Sequence, residues 1–141
     1  LDVAVSGGKP LDAQLQSDLA DLAREHDVAR VAWGDEVALT RRPPVQRMGR
    51  AEVVPPPGAF LQATPEGEAA LLAAVREAVR GARHVVDLFA GCGTFALPLA
   101  EDMRVHAVEG DRGMTAALDK GWRMAEGRWR ACASDSSRVR E

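Results

Sequence analysis

Apolar and polar positions alternate from Leu1 to Val5 and stop at Gly7-Gly8, the pattern of a strand and a turn. From Leu11 to Arg24, Leu15, Leu19, Leu22 and Ala23 recur at helical spacing. Val28 to Trp33 and Glu36 to Thr40 read as short strands around the turn Gly34-Asp35, and Val45 to Met48 with Ala51 to Val54 as a hairpin about Gly49-Arg50. Pro55-Pro56-Pro57 then ends sheet pairing, because proline has no N–H to donate. The expected boundary falls there: a small α+β domain over residues 1–56 and a second domain over 57–141.

The second part reads as helix, strand, helix, strand, helix. Thr64 can cap a helix, Pro65 suits its first position, and Glu66 and Glu68 favour its positive end. Leu71, Leu72, Val75 and Val79 form its apolar stripe, and Gly81 stops it. His84 to Phe89 is a strand, followed by a glycine turn and a short helix from Thr94 to Asp102. Pro98 is tolerable in that helix because first-turn N–H groups lack helical partners. Val105 to Val108 is a second strand, and Met114 to Ala125 a third helix with Leu118 and Trp122 on one side. Strands alternating with helices imply parallel pairing and an α/β sheet.

Composition narrows the class. Hydrophobic residues make up 46% of the 141, enough for a packed core. No apolar run approaches the ~18 residues of a membrane span. A net charge of -3 argues against a strongly basic nucleic-acid module, though not against a local basic patch. The 2 cysteines, Cys92 and Cys132, exclude a disulfide scaffold and any four-cysteine zinc site. No charged-then-apolar leader opens the chain, so a reduced, cytoplasmic setting is expected.

The candidate chemistry lies in Asp87-Leu88-Phe89-Ala90-Gly91-Cys92-Gly93-Thr94-Phe95 and in Val108-Glu109. Gly91 and Gly93 let the backbone turn sharply and approach a ligand. Glu109 ends the next strand, where a carboxylate can accept both hydroxyls of a ribose. Such a turn serves a dinucleotide or S-adenosyl-L-methionine. Asp87 bears on the choice: its carboxylate would repel a pyrophosphate but stabilise an ammonium and a sulfonium. A plain turn, a helix-capping Asp87 and a solvated Glu109 remain the structural alternatives.

Phe60-Leu61-Gln62, the run from Asp87 through Ala100, and Val108-Glu109 together resemble the bacterial RNA 5-methyluridine methyltransferases. These are class I enzymes that use S-adenosyl-L-methionine to methylate C5 of uridine in tRNA or ribosomal RNA. The resemblance is strong over residues 57–118 and weaker over 1–56. It implies the first part of a Rossmann-like domain, with Gln62, Asp87, Phe89, Gly91, Gly93, Thr94 and Glu109 as cofactor-binding residues. Thr94 stands where the family often has Asn. Residues 1–56 would correspond to a preceding domain that helps grip RNA. There Arg41, Arg42, Arg47 and Arg50 either contact phosphates or line a solvated loop.

The family mechanism needs a cysteine that adds to C6 of uracil and a base that removes the C5 proton, beside an Asp-Pro-Pro-Arg segment. This chain has no such segment. Cys92 lies inside the glycine turn, Cys132 has no family counterpart, and the resemblance stops near Gly127. The expectation is therefore a fragment that carries the cofactor half-site without the chemistry. An exposed sheet edge and apolar face would favour self-association. A non-catalytic module binding RNA or a partner chain is the alternative from another class, and a nicotinamide-dinucleotide domain a third.

Overall fold

The computed structural model describes residues 1–125 and the backbone of residues 132–135. The chain forms two compact units, Leu1–Val45 and Gln46–Glu141.

The first unit contains β1 (Asp2–Val5), α1 (Ala13–Glu25), β2 (Arg30–Trp33) and β3 (Glu36–Thr40). Asp12 caps α1 by accepting the Leu15 N–H at 2.7 Å. The helix carries the chain across, so β1 and β2 pair in parallel, and β3 returns antiparallel to β2. Gly34, at φ 60°, supplies the left-handed residue that a two-residue hairpin needs. Leu19 and Ala23 of α1 pack with Val28, Val31 and Ala38, whereas Leu22 of the expected stripe is exposed. Arg30 and Asp2 stand opposite each other on neighbouring strands. The buried guanidinium donates to both carboxylate oxygens, at 2.9 and 2.6 Å.

The second unit contains β4 (Gln46–Met48), β5 (Ala51–Val53), α2 (Pro65–Ala78), β6 (His84–Leu88), α3 (Ala96–Ala100), β7 (Arg104–Val108), α4 (Arg112–Met124) and β8 (Cys132–Asp135). β6, β7 and β8 form a parallel sheet in that order. The Rossmann-like alternation is therefore present, with a third strand beyond the two that the apolar pattern predicts. β8 lacks the apolar alternation that reveals β6 and β7. Residues 126–131 and 136–141, and the side chain of Cys132, lie outside the described residues.

Three expectations need correction. The β4–β5 hairpin belongs to the second unit, so the division falls at Val45/Gln46 and not at the prolines. Its Met48, Ala51 and Val53 are buried in one core with Leu97, Leu99 and Leu118. Prolines stop backbone pairing, but side-chain packing assigns the hairpin. The helix expected over Thr94 to Asp102 is only Ala96–Ala100, because the glycine turn uses the residues before it. Val75 of α2 and Val79, its C-cap, reach the core, but Leu71 is exposed.

Two glycines set how closely these layers approach. A Cβ on Gly93 (φ +97°) would lie 2.7 Å from Leu97 and 3.0 Å from Leu118, at the meeting of α3 and α4. A Cβ on Gly121 would lie 2.6 Å from Val53 and 3.1 Å from the Glu52 carbonyl, where α4 crosses β5. The sheet face carrying Val85 and Val105 is covered by this core. On the other face Val86 and Leu88 are each 60% exposed. Parallel sheets are ordinarily covered on both faces.

Ala at a helix-interior Gly normally stabilises by about 0.5–1 kcal/mol. Gly121→Ala is expected to reverse that sign and lower the melting temperature, since overpacking costs about 1–3 kcal/mol. Gly93→Ala is expected to lower it further, because the turn conformation is strained as well. Gly91→Ala meets nothing closer than 4.0 Å, so its cost is that of the left-handed backbone alone, about 1–2 kcal/mol, and it should be milder than Gly93→Ala in thermal denaturation.

Candidate functional site

The site is built where β6 and β7 end, the side of a parallel sheet on which α/β folds bind ligands. The Ala90 N–H donates to the Val108 carbonyl at 3.1 Å, fastening the glycine turn to the end of β7. Gly91 and Gly93 hold φ of 57° and 97°. Between β6 and the turn, Phe89 also adopts a left-handed φ of 60° and is 85% exposed. For a non-glycine residue that conformation costs about 1–2 kcal/mol.

Glu109 joins the two turns. Its Oε2 accepts the Gly91 N–H at 2.8 Å, and its Oε1 accepts the Asp111 N–H at 2.9 Å. Each oxygen keeps capacity for a second hydrogen bond. Asp111 caps α4 through the Met114 N–H at 2.8 Å. From sequence alone, Gly110-Asp111 reads as a simple turn. The signal that marks Asp111 is an acid immediately before a helix.

Asp87 is half-buried on β6, and its Oδ2 is a buried polar atom without a partner. Burial pushes its carboxyl above the usual range, the Ala96 N–H pulls it back, and the charge of Glu109 pushes it up again. Cys92 is buried in the turn. Burial, then the charges of Asp111 and Glu109, push its thiol up to about 11. It therefore stays protonated at neutral pH and makes a poor nucleophile. The structure thus gathers Asp87, Gly91, Gly93 and Glu109, with Cys92 and Asp111. Thr94 is half-buried just past the turn. Gln62 is half-buried in the segment before α2. A groove of about 550 Å³ lies at the opposite end of β6 and β7, lined by Arg83, His84, Asp102 and Arg104, and takes no part in this arrangement.

The arginine cluster has internal partners. Arg41 donates to the Ala23 carbonyl at 2.7 Å and to Asp27, and Arg42 holds both Asp27 oxygens at 2.7 Å. Those bonds hold the Asp27 carboxyl below its usual range. The Arg50 N–H binds Glu101 at 2.8 Å, while Arg47 is exposed on β4. In the first unit Lys9, Arg24, Arg30, Arg41 and Arg42, all its Lys and Arg residues, pair with its own carboxylates. Among the described residues no His, Cys, Asp and Glu cluster is arranged to hold a metal, and no helix is long and apolar enough to cross a membrane.

A parallel strand–helix run with a glycine turn after its first strand and an acid after its second defines a Rossmann-like nucleoside-cofactor fold. No family model matches the chain. It is 43% identical, over 127 residues, to an uncharacterized RNA methyltransferase of Mesorhizobium japonicum, which covers 90% of this chain and 31% of that protein. An uncharacterized RNA methyltransferase of Caulobacter vibrioides is 42% identical over 104 residues, 74% of this chain and 25% of that protein. The chain thus spans a third or less of the length of these relatives. Among solved structures, the tRNA (uracil-54, C5)-methyltransferase of Pyrococcus abyssi, in complex with S-adenosyl-L-homocysteine, matches with a TM-score of 0.63. Identity there is 15%, over 94% of this chain and 34% of that one. The tRNA m1G37 methyltransferase of M. jannaschii matches with a TM-score of 0.56 at 17% identity, over 87% and 40%. The likeness shows the fold: part of a Rossmann-like domain of the kind these methyltransferases have.

An acid whose folded-state pKa is raised weakens the fold as pH climbs. Below ~4 both states hold the proton and Asp87 contributes nothing. Above that the unfolded chain ionises first, and stability falls until the folded carboxyl ionises too. Asp87→Asn is therefore expected to raise the melting temperature at pH 7, with a gain that shrinks as pH approaches 4. Thermal denaturation across that range checks it, and a loss at pH 7 would contradict the cost assigned to the charge.

Proposed function

We propose that the chain is the cofactor-holding part of an S-adenosyl-L-methionine-dependent RNA methyltransferase that acts on C5 of uridine in tRNA or ribosomal RNA. The observation that carries this reading is Asp87, a carboxylate with a buried, unpartnered oxygen beside a turn tied to Glu109. Burying an unpaired charge is costly, and functional sites are where proteins retain such a cost. A cationic ligand relieves it, whereas a pyrophosphate adds to it. The names of the relatives support RNA as the substrate class.

In this reading Asp87 receives the cofactor's ammonium and Glu109 its ribose hydroxyls. Gly91 and Gly93 bring backbone close to the ligand, while Gln62, Phe89 and Thr94 border it. When bound, the cofactor supplies an electrophilic methyl group on its sulfonium. Cys92, held as a thiol, is not the residue that adds to uracil C6. The nucleophile and base belong to the remaining length of the longer protein, and this chain alone is inactive. Cys92 as a free thiol accords with a reducing cytoplasm.

The isolated chain pairs with a second copy through β6. That strand lies at the edge of the described sheet, and Val86, Leu88 and Phe89 are exposed on and beside it. Sedimentation at micromolar concentration is expected to give a dimer or larger species. A Leu88→Lys variant should shift it to monomer, and a sharp wild-type monomer would exclude the pairing.

Calorimetric titration with S-adenosylhomocysteine tests the site. Binding is expected, with none for NAD and at least a tenfold weakening in Glu109→Ala. Binding of NAD without S-adenosylhomocysteine would overturn the argument from Asp87.

A further inference from the structure

The Glu109 carboxylate is held by backbone donors on both sides, so its value as a hydrogen-bond acceptor depends on how firmly those donors are fixed. Gly91 is fixed by the turn. Asp111 is fixed by α4: its carboxylate caps the Met114 N–H, and its carbonyl accepts the Thr115 N–H at 3.0 Å. That carbonyl also accepts the Thr115 hydroxyl at 2.8 Å. The same hydroxyl lies 3.4 Å from the Glu109 carbonyl, a second and longer acceptor. Thr115 therefore spans the loop, reaching both the residue that donates to Glu109 and the backbone of Glu109 itself. A hydroxyl bonded to the carbonyl four residues back is neutral or slightly unfavourable for a helix, so helix stability alone gives little reason for this residue.

We propose that Thr115 is a positioning residue for Glu109. It holds the Gly110-Asp111 corner so that both carboxylate oxygens present their free lone pairs to a cis-diol, and it thereby sets the preference for a ribose over a deoxyribose ligand. The inference rests on the role given to Glu109 above. Its physical basis is preorganisation: a carboxylate already fixed in place loses little freedom when the hydroxyls bind.

The test compares S-adenosylhomocysteine with its 2′-deoxy analogue, by calorimetry, on the wild-type chain, Thr115→Val and Thr115→Ser. Thr115→Val keeps the shape and removes the hydroxyl, and Thr115→Ser keeps the hydroxyl. Wild type is expected to favour the ribose ligand by about tenfold, the worth of one hydrogen bond to a charged group. Thr115→Val should lose about threefold or more of that preference with the deoxy ligand unaffected, and Thr115→Ser should restore it. Equal weakening of both ligands, or an unchanged preference in Thr115→Val, overturns the positioning role. Equal binding of the two ligands by wild type, or no binding of S-adenosylhomocysteine, overturns instead the underlying role of Glu109. Melting curves of both variants separate a folding defect from a change in preference.

Discussion

One carboxylate ties the second unit's site together. Glu109 leaves the end of β7, reaches across to the glycine turn behind β6, and also closes its own loop. Two backbone N–H groups that would otherwise need separate partners are satisfied by one side chain. The bond at Gly91 links the first β-to-α turn to the second, so displacement of either strand end moves both. The arrangement also needs α3 and α4 to lie close together, which Gly93 permits by leaving room for Leu97 and Leu118. Packing below and hydrogen bonding above thus fix the same corner.

The acids crowded around this corner oppose the fold as much as they serve it. Burial first and the charge of Glu109 after it push the Asp87 carboxyl up, and burial, then Asp111 and Glu109, push up the Cys92 thiol. A buried oxygen without a partner, as at Asp87, costs the fold stability. Phe89 adds a second unfavourable feature, a left-handed backbone at an exposed aromatic residue. Backbone strain and an unpartnered polar atom within a few residues of one turn are features that cluster at functional sites.

Much of this is legible in the sequence where local chemistry decides the outcome. Thr64-Pro65 announces α2, Gly34-Asp35 the hairpin of the first unit, and the apolar runs around Asp87 and Val108 the paired strands. The glycine turn and Glu109 can be read together because a turn and an acid at successive strand ends are each local signals. What escapes is long-range. The packing of Val53 onto Gly121 places the β4–β5 hairpin with the second unit, and no window of sequence contains both residues. The bond from Asp111 to Glu109 uses a main-chain N–H, which no residue type advertises. The engagement of Arg41 and Arg42 with Asp27 is hidden for the same reason, since a run of arginines looks alike whether or not an acid folds back on it.

That engagement has a consequence for any polyanion that meets the first unit. Cations bind nucleic acid largely by displacing the ions condensed on it, and the entropy of that displacement makes affinity fall steeply with salt. Lys9, Arg24 and Arg30 are each paired with one carboxylate, of Asp12, Asp21 and Asp2, and Arg41 and Arg42 share that of Asp27. To reach a phosphate, each must first give up a carboxylate contact, so part of what the phosphate offers is offset by what is lost. A cation already held by an acid gains less from a phosphate than a bare one does, and the first unit, with every Lys and Arg so held, presents little uncompensated positive charge to a polyanion.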